Sequence, residues 1–432
     1  KRSNPRTENG KRTADAFRKN GSCAQGLPFR SMVHVGRLCG AFPVLPTTLV
    51  AWNERMTPKQ RVFTALRHEE PDFVPIGEFA IDYAAFEAVL GRPTFWRGHF
   101  KTMKALWEGR RDEVVESMIR DVIEFYHKTD QDIIPVSLVP SRNKEIIPWE
   151  EIAPMTFRDP RGDVYRVSEK SQWLMRIKYA EPAREYSVED FPVPTEFTEP
   201  DESEWELVRA VVKEFGATHF ILARSGDGTF PLIGGMERGL ILIAEHPDVA
   251  EAAAKAAVAR TMYMDGLWAK EGVDGLCPGE DYADSRGPLV SPRVIRERFF
   301  PSMAAHVAHA HGLGLPVLKH ACGNNWKIMD MLVEAGYDAY QSIQESATMD
   351  IIRLKREYGD KITLWGGVGT ETLIAGSTED VRNEVRRAVR HCAPGGGFLL
   401  GSSHSILIGA QPDNYLAMLD EARKVGRYPV TI

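Results

Sequence analysis

One short segment of this chain, Leu315-Pro-Val-Leu-Lys-His-Ala-Cys-Gly323, joins a strand signal to two reactive side chains. Residues 316–319 form an apolar run bounded by glycines, which predicts a short buried β-strand. His320 and Cys322 follow at its carboxyl end, and in an extended chain side chains at this spacing point to the same side. Imidazole and thiolate together suit Zn²⁺. The segment predicts part of a metal site or, as the alternative, a buried cysteine beside a hydrogen-bonded histidine.

Seven other segments resemble this strand, and the later ones alternate with amphipathic stretches that predict helices, for example 325–335, 378–391 and 413–425. Strands separated by helices predict parallel βαβ units, and eight of them match a (β/α)8 TIM barrel. A doubly wound sheet is the alternative fold, but the glycine-rich segments do not form its G-x-G-x-x-G turn. The predicted strands are 73–78, 133–138, 219–224, 273–277, 316–319, 339–343, 362–365 and 397–400.

Two regions of the chain differ in character. Residues 1–55 begin with a basic, acid-poor segment and lack sustained periodicity, so we expect a disordered or non-native extension, with a transit peptide as the alternative. From Met56 the sequence reads as a protein start, with Thr57 as a helix N-cap and Pro58 as the first helical residue. Residues 56–432 then form one barrel, with an insertion at about 140–200 that we expect to contain a β-hairpin after the second strand.

Composition excludes several classes of function. The chain has 432 residues, of which 43% are hydrophobic and 26% charged, and its net charge of -6 argues against a nucleic-acid-binding protein. No apolar run has the length that spans a bilayer, which is about 20 residues. The five cysteines are few and widely spread, so they do not predict a disulfide framework. A reducing cytoplasm is therefore the expected location.

The carboxyl ends of the eight strands should meet at one end of the barrel, where TIM-barrel enzymes carry their active sites. Soft ligands, carboxylates and amides gather there, as a metal-assisted reaction requires. Some also have structural interpretations: Glu78 and Asp82 could cap a helix, and Asp281 could belong to a turn. The residues at these ends are Glu78, Asp82, Arg224, Ser225, Glu280, Asp281, His320, Cys322, Gln341, Gln344, Glu345, Gly366, Gly367, Ser402, Ser403 and His404.

A series of motifs follows in order along the chain: Met56-Thr-Pro-Lys-Gln-Arg-Val62, Asp72-Phe-Val-Pro-Ile76, Asp281 with Ser291-Pro292, His320-Ala-Cys-Gly323, Trp365-Gly-Gly-Val368, Gly397-Phe-Leu-Leu-Gly-Ser-Ser403 and Pro412-Asp-Asn-Tyr415. Their order resembles the uroporphyrinogen decarboxylase superfamily over essentially everything after Met56. The resemblance implies a (β/α)8 barrel, in agreement with the strand pattern.

The resemblance separates two branches of that superfamily. Uroporphyrinogen decarboxylases carry an arginine-rich motif, R-Q-A-G-R, for the propionates of the porphyrinogen, whereas this chain has Glu78 and Asp82 in a segment without arginine. It therefore resembles more closely the corrinoid-dependent methyltransferases, which include methylcobalamin:coenzyme M methyltransferases and O-demethylase components. In that branch the His-x-Cys pair ligates zinc. The coenzyme M type adds a second cysteine after the last strand, where this chain has Ser403 and His404.

The resemblance thus implies zinc bound by His320 and Cys322, with a harder third ligand from Glu280, Asp281, Glu78 or His404. Among these a carboxylate is preferred, Glu280 or Asp281 ahead of Glu78. Such a zinc ion suits activation of an ether or hydroxyl oxygen rather than a thiol.

We therefore expect a methyltransferase that moves a methyl group between a small, methoxylated molecule and cobalamin carried by a separate corrinoid protein. A homodimer is compatible with this prediction. The alternatives are a decarboxylase or lyase acting on a small acid without metal, and a non-catalytic binding barrel. Expected catalytic residues are Asp281, Glu280, Arg224 and His404, and expected substrate contacts are Glu78, Asp82, Gln341 and Ser403.

Overall fold

The computed structural model describes residues 55–180 and 184–432. The predicted N-terminal extension, residues 1–55, lies outside the described residues apart from Arg55. The strands, numbered in chain order, are β1 (Ile133–Val136), β2 (Glu150–Ala153), β3 (Thr156–Arg158), β4 (Val164–Val167), β5 (Leu174–Lys178), β6 (Phe220–Ala223), β7 (Gly275–Leu276), β8 (Ala283–Asp284), β9 (Gly287–Pro288), β10 (Leu318–His320), β11 (Ala339–Gln341), β12 (Thr363–Val368) and β13 (Phe398–Ser402).

Eight parallel segments form the predicted closed ring. Strands β1, β6 and β7 make one parallel sheet, and β10 to β13 make another. A parallel bridge from Leu276 to Val317 joins the two sheets on one side. On the other side, the first predicted strand is present as two bridges, from Gly77 to Ile133 and from Ile76 to Leu400. The predicted α/β barrel is therefore confirmed.

Helices follow the strands as the amphipathic pattern predicts. The three helices predicted at 325–335, 378–391 and 413–425 are present at Met329–Ala335, Thr378–Cys392 and Pro412–Val425, and a 3-10 turn at Trp326–Ile328 precedes the first of them. No helix in the described residues is long and apolar enough to cross a membrane. The helices are α1 (Pro58–Leu66), α2 (Tyr83–Leu90), α3 (Phe100–Trp107), α4 (Arg111–Thr129), α5 (Glu206–Phe215), α6 (Met236–Glu245), α7 (Pro247–Lys270), α8 (Pro292–Val294), α9 (Phe300–Gly312), α10 (Met329–Ala335), α11 (Ile351–Tyr358), α12 (Thr370–Ala375), α13 (Thr378–Cys392) and α14 (Pro412–Val425).

Helix α1 closes the end of the barrel at which the strands begin. It starts as predicted, because Thr57 and Gln60 exchange hydrogen bonds in a capping box. Val62 and Ala65 are buried against the side chains of the barrel interior. The carbonyl of Ala65 also accepts a hydrogen bond of 3.1 Å from the amide of Gly397, just ahead of β13.

The insertion after β1 is larger than the predicted hairpin. It is a four-stranded antiparallel sheet in the order β2, β3, β4, β5. The predicted segments correspond to its last three strands, while β2 is exposed along its whole length. Since β2 therefore lacks an apolar face, no alternation marks it in the sequence. Phe157 and Val167 attach the sheet to the barrel by packing on Phe100 of α3.

Alternation along β10 positions the residues of the predicted metal site. Val317 belongs to the layer between strands and helices, whereas Leu318 belongs to the barrel interior with Trp365 and Leu399. His320 shares the inward side with Leu318 because side chains alternate along a strand. It therefore emerges at the carboxyl end of the barrel.

Candidate metal centre

Three side chains converge at the carboxyl ends of two strands. His320 ends β10, Cys322 lies in the loop after it, and His404 follows β13. Their possible ligand atoms all lie within 4.8 Å of one another, and Cys322 Sγ is 3.4 Å from His320 Nε2. In addition, the buried Nδ1 of His404 has no hydrogen-bond partner among the described residues. Two imidazoles and one thiol form a donor set that suits zinc.

Gln341, expected to contact substrate, holds the ring of His320 and the backbone of His404. Its Oε1 accepts a hydrogen bond from His320 Nδ1, and its Nε2 donates one of 2.6 Å to the carbonyl of His404. The side chain is fully buried, so both ends of the amide are used inside the protein. This arrangement leaves His320 Nε2 as the nitrogen that faces Cys322, which is the tautomer a metal ligand requires.

Protonation of the pair depends on its surroundings. Burial lowers the pKa of His320 well below its ordinary value, so the imidazole is neutral. Burial and the nearby carboxylate of Asp281 raise the pKa of the Cys322 thiol to about 12. Ser342 Oγ lies 3.2 Å from the sulfur, as a hydrogen-bond donor to it. Binding of a cation at this thiol would therefore be linked to loss of its proton.

Asp281 lies beside this group, as its prediction as a catalytic residue requires. One carboxylate oxygen accepts a hydrogen bond of 2.7 Å from the amide of Cys322, which fixes the loop after β10. The residue as a whole is exposed. Its negative charge raises the pKa of His404, although burial has the larger effect and lowers it overall. Asp281 is thus the predicted carboxylate that the fold brings next to the three candidate ligands.

Glu280 is turned away, so the prediction of this residue as the third ligand is not supported by the geometry. Its carboxylate accepts hydrogen bonds from the amides of Gly228 and Phe230, at 2.9 and 2.5 Å. Burial and the neighbouring Asp227 carboxylate raise its pKa. Asp227 in turn forms a buried ion pair with Lys319. Glu280 therefore holds the loop after β6, whereas His404 has a possible ligand atom within 4.8 Å of those of His320 and Cys322.

Arg224, expected to be catalytic, reaches the same end of the barrel. Its guanidinium carbon lies 4.8 Å from the ring centre of Phe79, and the Phe79 ring stacks on His320 with 3.9 Å between ring centres. Arg224 does not pair with Asp227, whose carboxylate is bound by Lys319. Arg224 Nε is buried and has no hydrogen-bond partner among the described residues.

Asp82 does not cap α2 through its side chain and does not present a bare negative charge. Arg97 lies 2.8 Å from one of its oxygens, and His99 lies 3.6 Å from the same oxygen. Burial alone would raise the pKa of Asp82, but His99 and Arg97 together lower it. Trp173 of the insertion packs on His99, with 4.2 Å between ring centres. The insertion therefore borders this side of the site.

Glu78 and Ser403, both expected to contact substrate, are buried in internal hydrogen bonds. The Glu78 carboxyl accepts from the amide of Ser402 at 2.8 Å and lies 2.5 Å from its hydroxyl. Burial raises the pKa of Glu78 to about 8. Ser403 Oγ accepts a hydrogen bond of 3.0 Å from the amide of Thr370. Neither Glu78 nor Asp82 therefore presents an unpaired negative charge to an anionic ligand in the folded protein.

Sequence reasoning missed Arg97, His99 and Phe79. Arg97 and His99 lie in the loop between α2 and α3 and have positive φ angles of 48° and 49°. No periodic pattern marks that loop, so the sequence offered no reason to place it at the site. Phe79 was hidden by its position beside Glu78 in an apolar segment. Lys319 offered a usable signal, since a charged residue inside a buried strand requires a partner.

Three similarities to known proteins support this architecture. The family model described as Uroporphyrinogen decarboxylase (URO-D) matches residues 232–425. A stretch of 148 residues is 29% identical to the uroporphyrinogen decarboxylase of Thioalkalivibrio sulfidiphilus (strain HL-EbGR7) and covers 33% of this chain and 40% of that protein. The match thus spans less than half of the length of this curated relative.

A solved structure, a methyltransferase from Methanosarcina mazei, superposes with a TM-score of 0.62 at 15% sequence identity. The superposition covers 85% of this chain and 99% of the other, and it shows a shared fold. The segment matched by the family model contains the three candidate ligands and the strands that carry them. Residues 232–425, a little under half of this chain, are thus similar to the uroporphyrinogen decarboxylase family, in agreement with the predicted superfamily.

Proposed function

We propose that this protein is a zinc-dependent methyltransferase that moves a methyl group between a small methoxylated molecule and a corrinoid on a separate protein. The observation that carries the proposal is the convergence of His320, Cys322 and His404 within 4.8 Å. The fold shared with a methyltransferase from Methanosarcina mazei supports it. A thiol and two imidazoles at the carboxyl end of a barrel are typical of a metal-assisted reaction rather than of a barrel that only binds a ligand.

Each residue of the site would have a separate task. His320, Cys322 and His404 would hold zinc, and Gln341 would keep His320 in the required tautomer. When bound, zinc supplies a Lewis acid for the oxygen from which the methyl group departs. Asp281, exposed beside the ligands, would exchange a proton between that oxygen and water. The stacked Phe79 ring would keep water away from one face of His320.

In this proposal the corrinoid comes on a partner protein. It would have to approach the carboxyl end of the barrel, where the candidate ligands lie. A cytoplasmic location fits this proposal, since a reducing compartment keeps the Cys322 thiol free to bind metal.

A decarboxylase acting on a small acid is the second candidate. The observation in its favour is the cationic side of the site, where Arg97 and Arg224 lie near each other and the charge of Arg97 lowers the pKa of Arg224. The family match and its decarboxylase relative add support. In this alternative Arg224 would bind the acid, and no metal would be required.

One experiment separates the two candidates. Zinc content and methyl transfer to free cob(I)alamin are measured with a panel of methoxylated compounds, for the wild type, Cys322→Ser and the control Cys392→Ser. Cys392 is a buried thiol on α13, outside the candidate ligand group. We expect one zinc ion per chain and methylcobalamin formation in the wild type and the control, and loss of both in Cys322→Ser. A wild-type protein without zinc that releases CO₂ from an organic acid would establish the decarboxylase instead.

A further inference from the structure

We propose that Arg224 binds a carboxylate of the substrate beside the candidate metal centre, so that the substrate is a small organic acid. The inference extends the proposed function by naming the chemical class of its substrate. It rests on the contacts of the arginine, which are independent of whether a methyl group is transferred.

Arg224 is a partly buried cation without a counter-ion. Its guanidinium makes no hydrogen bond or ion pair with any described residue, and its ring contact with Phe79 is the interaction found for it there. Burial and, to a smaller extent, the positive charge of Arg97 lower the pKa of Arg224 to about 10, although the Asp82 carboxylate acts in the opposite direction. Withdrawing a charge from water without a partner is costly, and a bound anion would offset that cost.

Arg97, at the same end of the barrel, provides a comparison because it has a carboxylate partner. It lies 2.8 Å from Asp82, whose side chain is 2% exposed, and so it already has its carboxylate. The two arginines therefore differ in whether they can bind a ligand. Arg97 neutralises the charge of Asp82, whereas the positive charge of Arg224 is not balanced by an ion pair with a described residue. The planar guanidinium of Arg224 can bind both oxygens of a carboxylate through two parallel hydrogen bonds.

The position of Arg224 relates the anion to the chemistry. The Phe79 ring contacts both the guanidinium and the His320 imidazole. The two groups are therefore separated by no more than the length of a small organic molecule. A carboxylate held at Arg224 would direct the other end of the molecule toward Cys322 and His404. Fixing a substrate at a distant charged group in this way lowers the entropy cost of reaching the reactive geometry.

Binding of benzoate and of benzamide, which differ in charge but little in shape, tests the inference by calorimetry. The variants are Arg224→Gln, Arg224→Lys and the control Arg296→Gln. Arg296 also lies over a ring, at 4.4 Å from Phe300, but it is paired with Glu334 and lies outside the site. We expect benzoate to bind the wild type and the control, and Arg224→Gln to weaken it about 10- to 100-fold. Arg224→Lys should retain part of the affinity, and benzamide should respond little to any variant.

Two results would overturn the inference. One is equal binding of benzoate and benzamide by the wild type, and the other is benzoate binding that survives in Arg224→Gln. Repeating the titration with His320→Ala separates this inference from the proposed function. Benzoate binding by the zinc-depleted variant is expected to persist, whereas loss there together with survival in Arg224→Gln would assign the carboxylate to the metal. Circular dichroism confirms that each variant is folded.

Discussion

His320 offers one nitrogen to the site because Gln341 occupies the other. The hydrogen bond from Nδ1 to Gln341 fixes the orientation of the ring, and a histidine ring that is free to rotate binds metal less well. The same amide also donates to the backbone carbonyl of His404, so a single buried side chain fixes the ring of one candidate ligand and the backbone of another. The Cys322 sulfur is then placed by a loop whose amide is fixed by Asp281.

The first prediction concerns the membership of the metal site. His320→Ala, Cys322→Ser and His404→Ala should each reduce the zinc content to a small fraction of the wild type, because each removes one of three donors. Glu280→Gln is the matched control, since its carboxylate is engaged by the amides of Gly228 and Phe230 and should not touch zinc. Metal analysis after dialysis checks this. Full zinc in His404→Ala, or its loss in Glu280→Gln, would contradict the arrangement.

The second prediction concerns Glu78, whose pKa burial raises from 4.5 to about 8. Between these values the folded protein holds a proton that the unfolded chain releases, so the free energy of unfolding falls as pH rises. The slope is at most about 1.4 kcal/mol per pH unit. Glu78→Gln imitates the protonated form and should lack this contribution. Urea unfolding at pH 5, 6.5 and 8 measures the slopes, and identical slopes for both proteins would refute the assignment.

Neighbouring residues show why the site could be predicted only in part. His320 and Cys322 were identifiable because their spacing acts within one extended segment. Glu280 and Asp281 are adjacent and chemically alike, yet one is held by loop amides and the other is exposed beside Cys322. Their different environments depend on the conformation of the loop after β7. This conformation is fixed by hydrogen bonds to the loop after β6. Sequence spacing carries no information on such a contact.

At the scale of elements, the loop after β10 is constrained at Gly323. Its φ angle is +84°, and a Cβ at this position would lie 2.5 Å from the carbonyl oxygen of Ala283 in β8. The β8–β9 hairpin thus packs directly against the loop that carries Cys322. A glycine is required here both for the backbone conformation and for the close approach.

The third prediction follows from this contact. Gly323→Ala should lower the free energy of unfolding by about 3 kcal/mol or more, since it adds a clash to the strain of a positive φ angle. Gly91→Ala is the control: Gly91 has a φ angle of +72°, but nothing lies within 4 Å of its Cβ position. It should cost only about 1 kcal/mol. Chemical denaturation and zinc analysis of both variants check the difference, and equal costs would argue against the clash.

Elements with an inward and an outward face were predicted well, because alternation and helical periodicity are local properties. The barrel strands are the examples, and even the first, reduced here to bridges at Ile76 and Gly77, was placed correctly. β2 of the insertion was missed because all of its residues are exposed. The loop with Arg97 was missed for a related reason, since its conformation depends on the ion pair with Asp82.

At the scale of the whole molecule, the two ends of the barrel differ in what covers them. Helix α1 covers the end where strands begin, with Val62 and Ala65 fully buried. The opposite end carries the ionisable groups of the candidate site and is bordered by the insertion. The polar groups at that end depend on charges from several separate loops, which explains why the fold was easier to predict than the site.

The last prediction concerns the N-terminal boundary. A protein begun at Met56 should keep the thermal midpoint and zinc content of the full chain, because the sequence before Met56 lacks periodicity and the capping box that starts α1 is retained. The amide of Met56 donates to Asp72 at 3.1 Å, and its carbonyl accepts from Arg61 at 2.9 Å. Removal of α1 as well, by starting at Arg67, is the control. It removes Val62 and Ala65, uncovers the barrel-interior side chains that they pack on, and should destabilise the barrel, since burial of a valine side chain alone contributes roughly 1.5–3 kcal/mol. Calorimetry compares the three proteins. A midpoint several degrees lower for the Met56 start would show that residues 1–55 contribute to the stability of the barrel, against the expectation from their lack of periodicity.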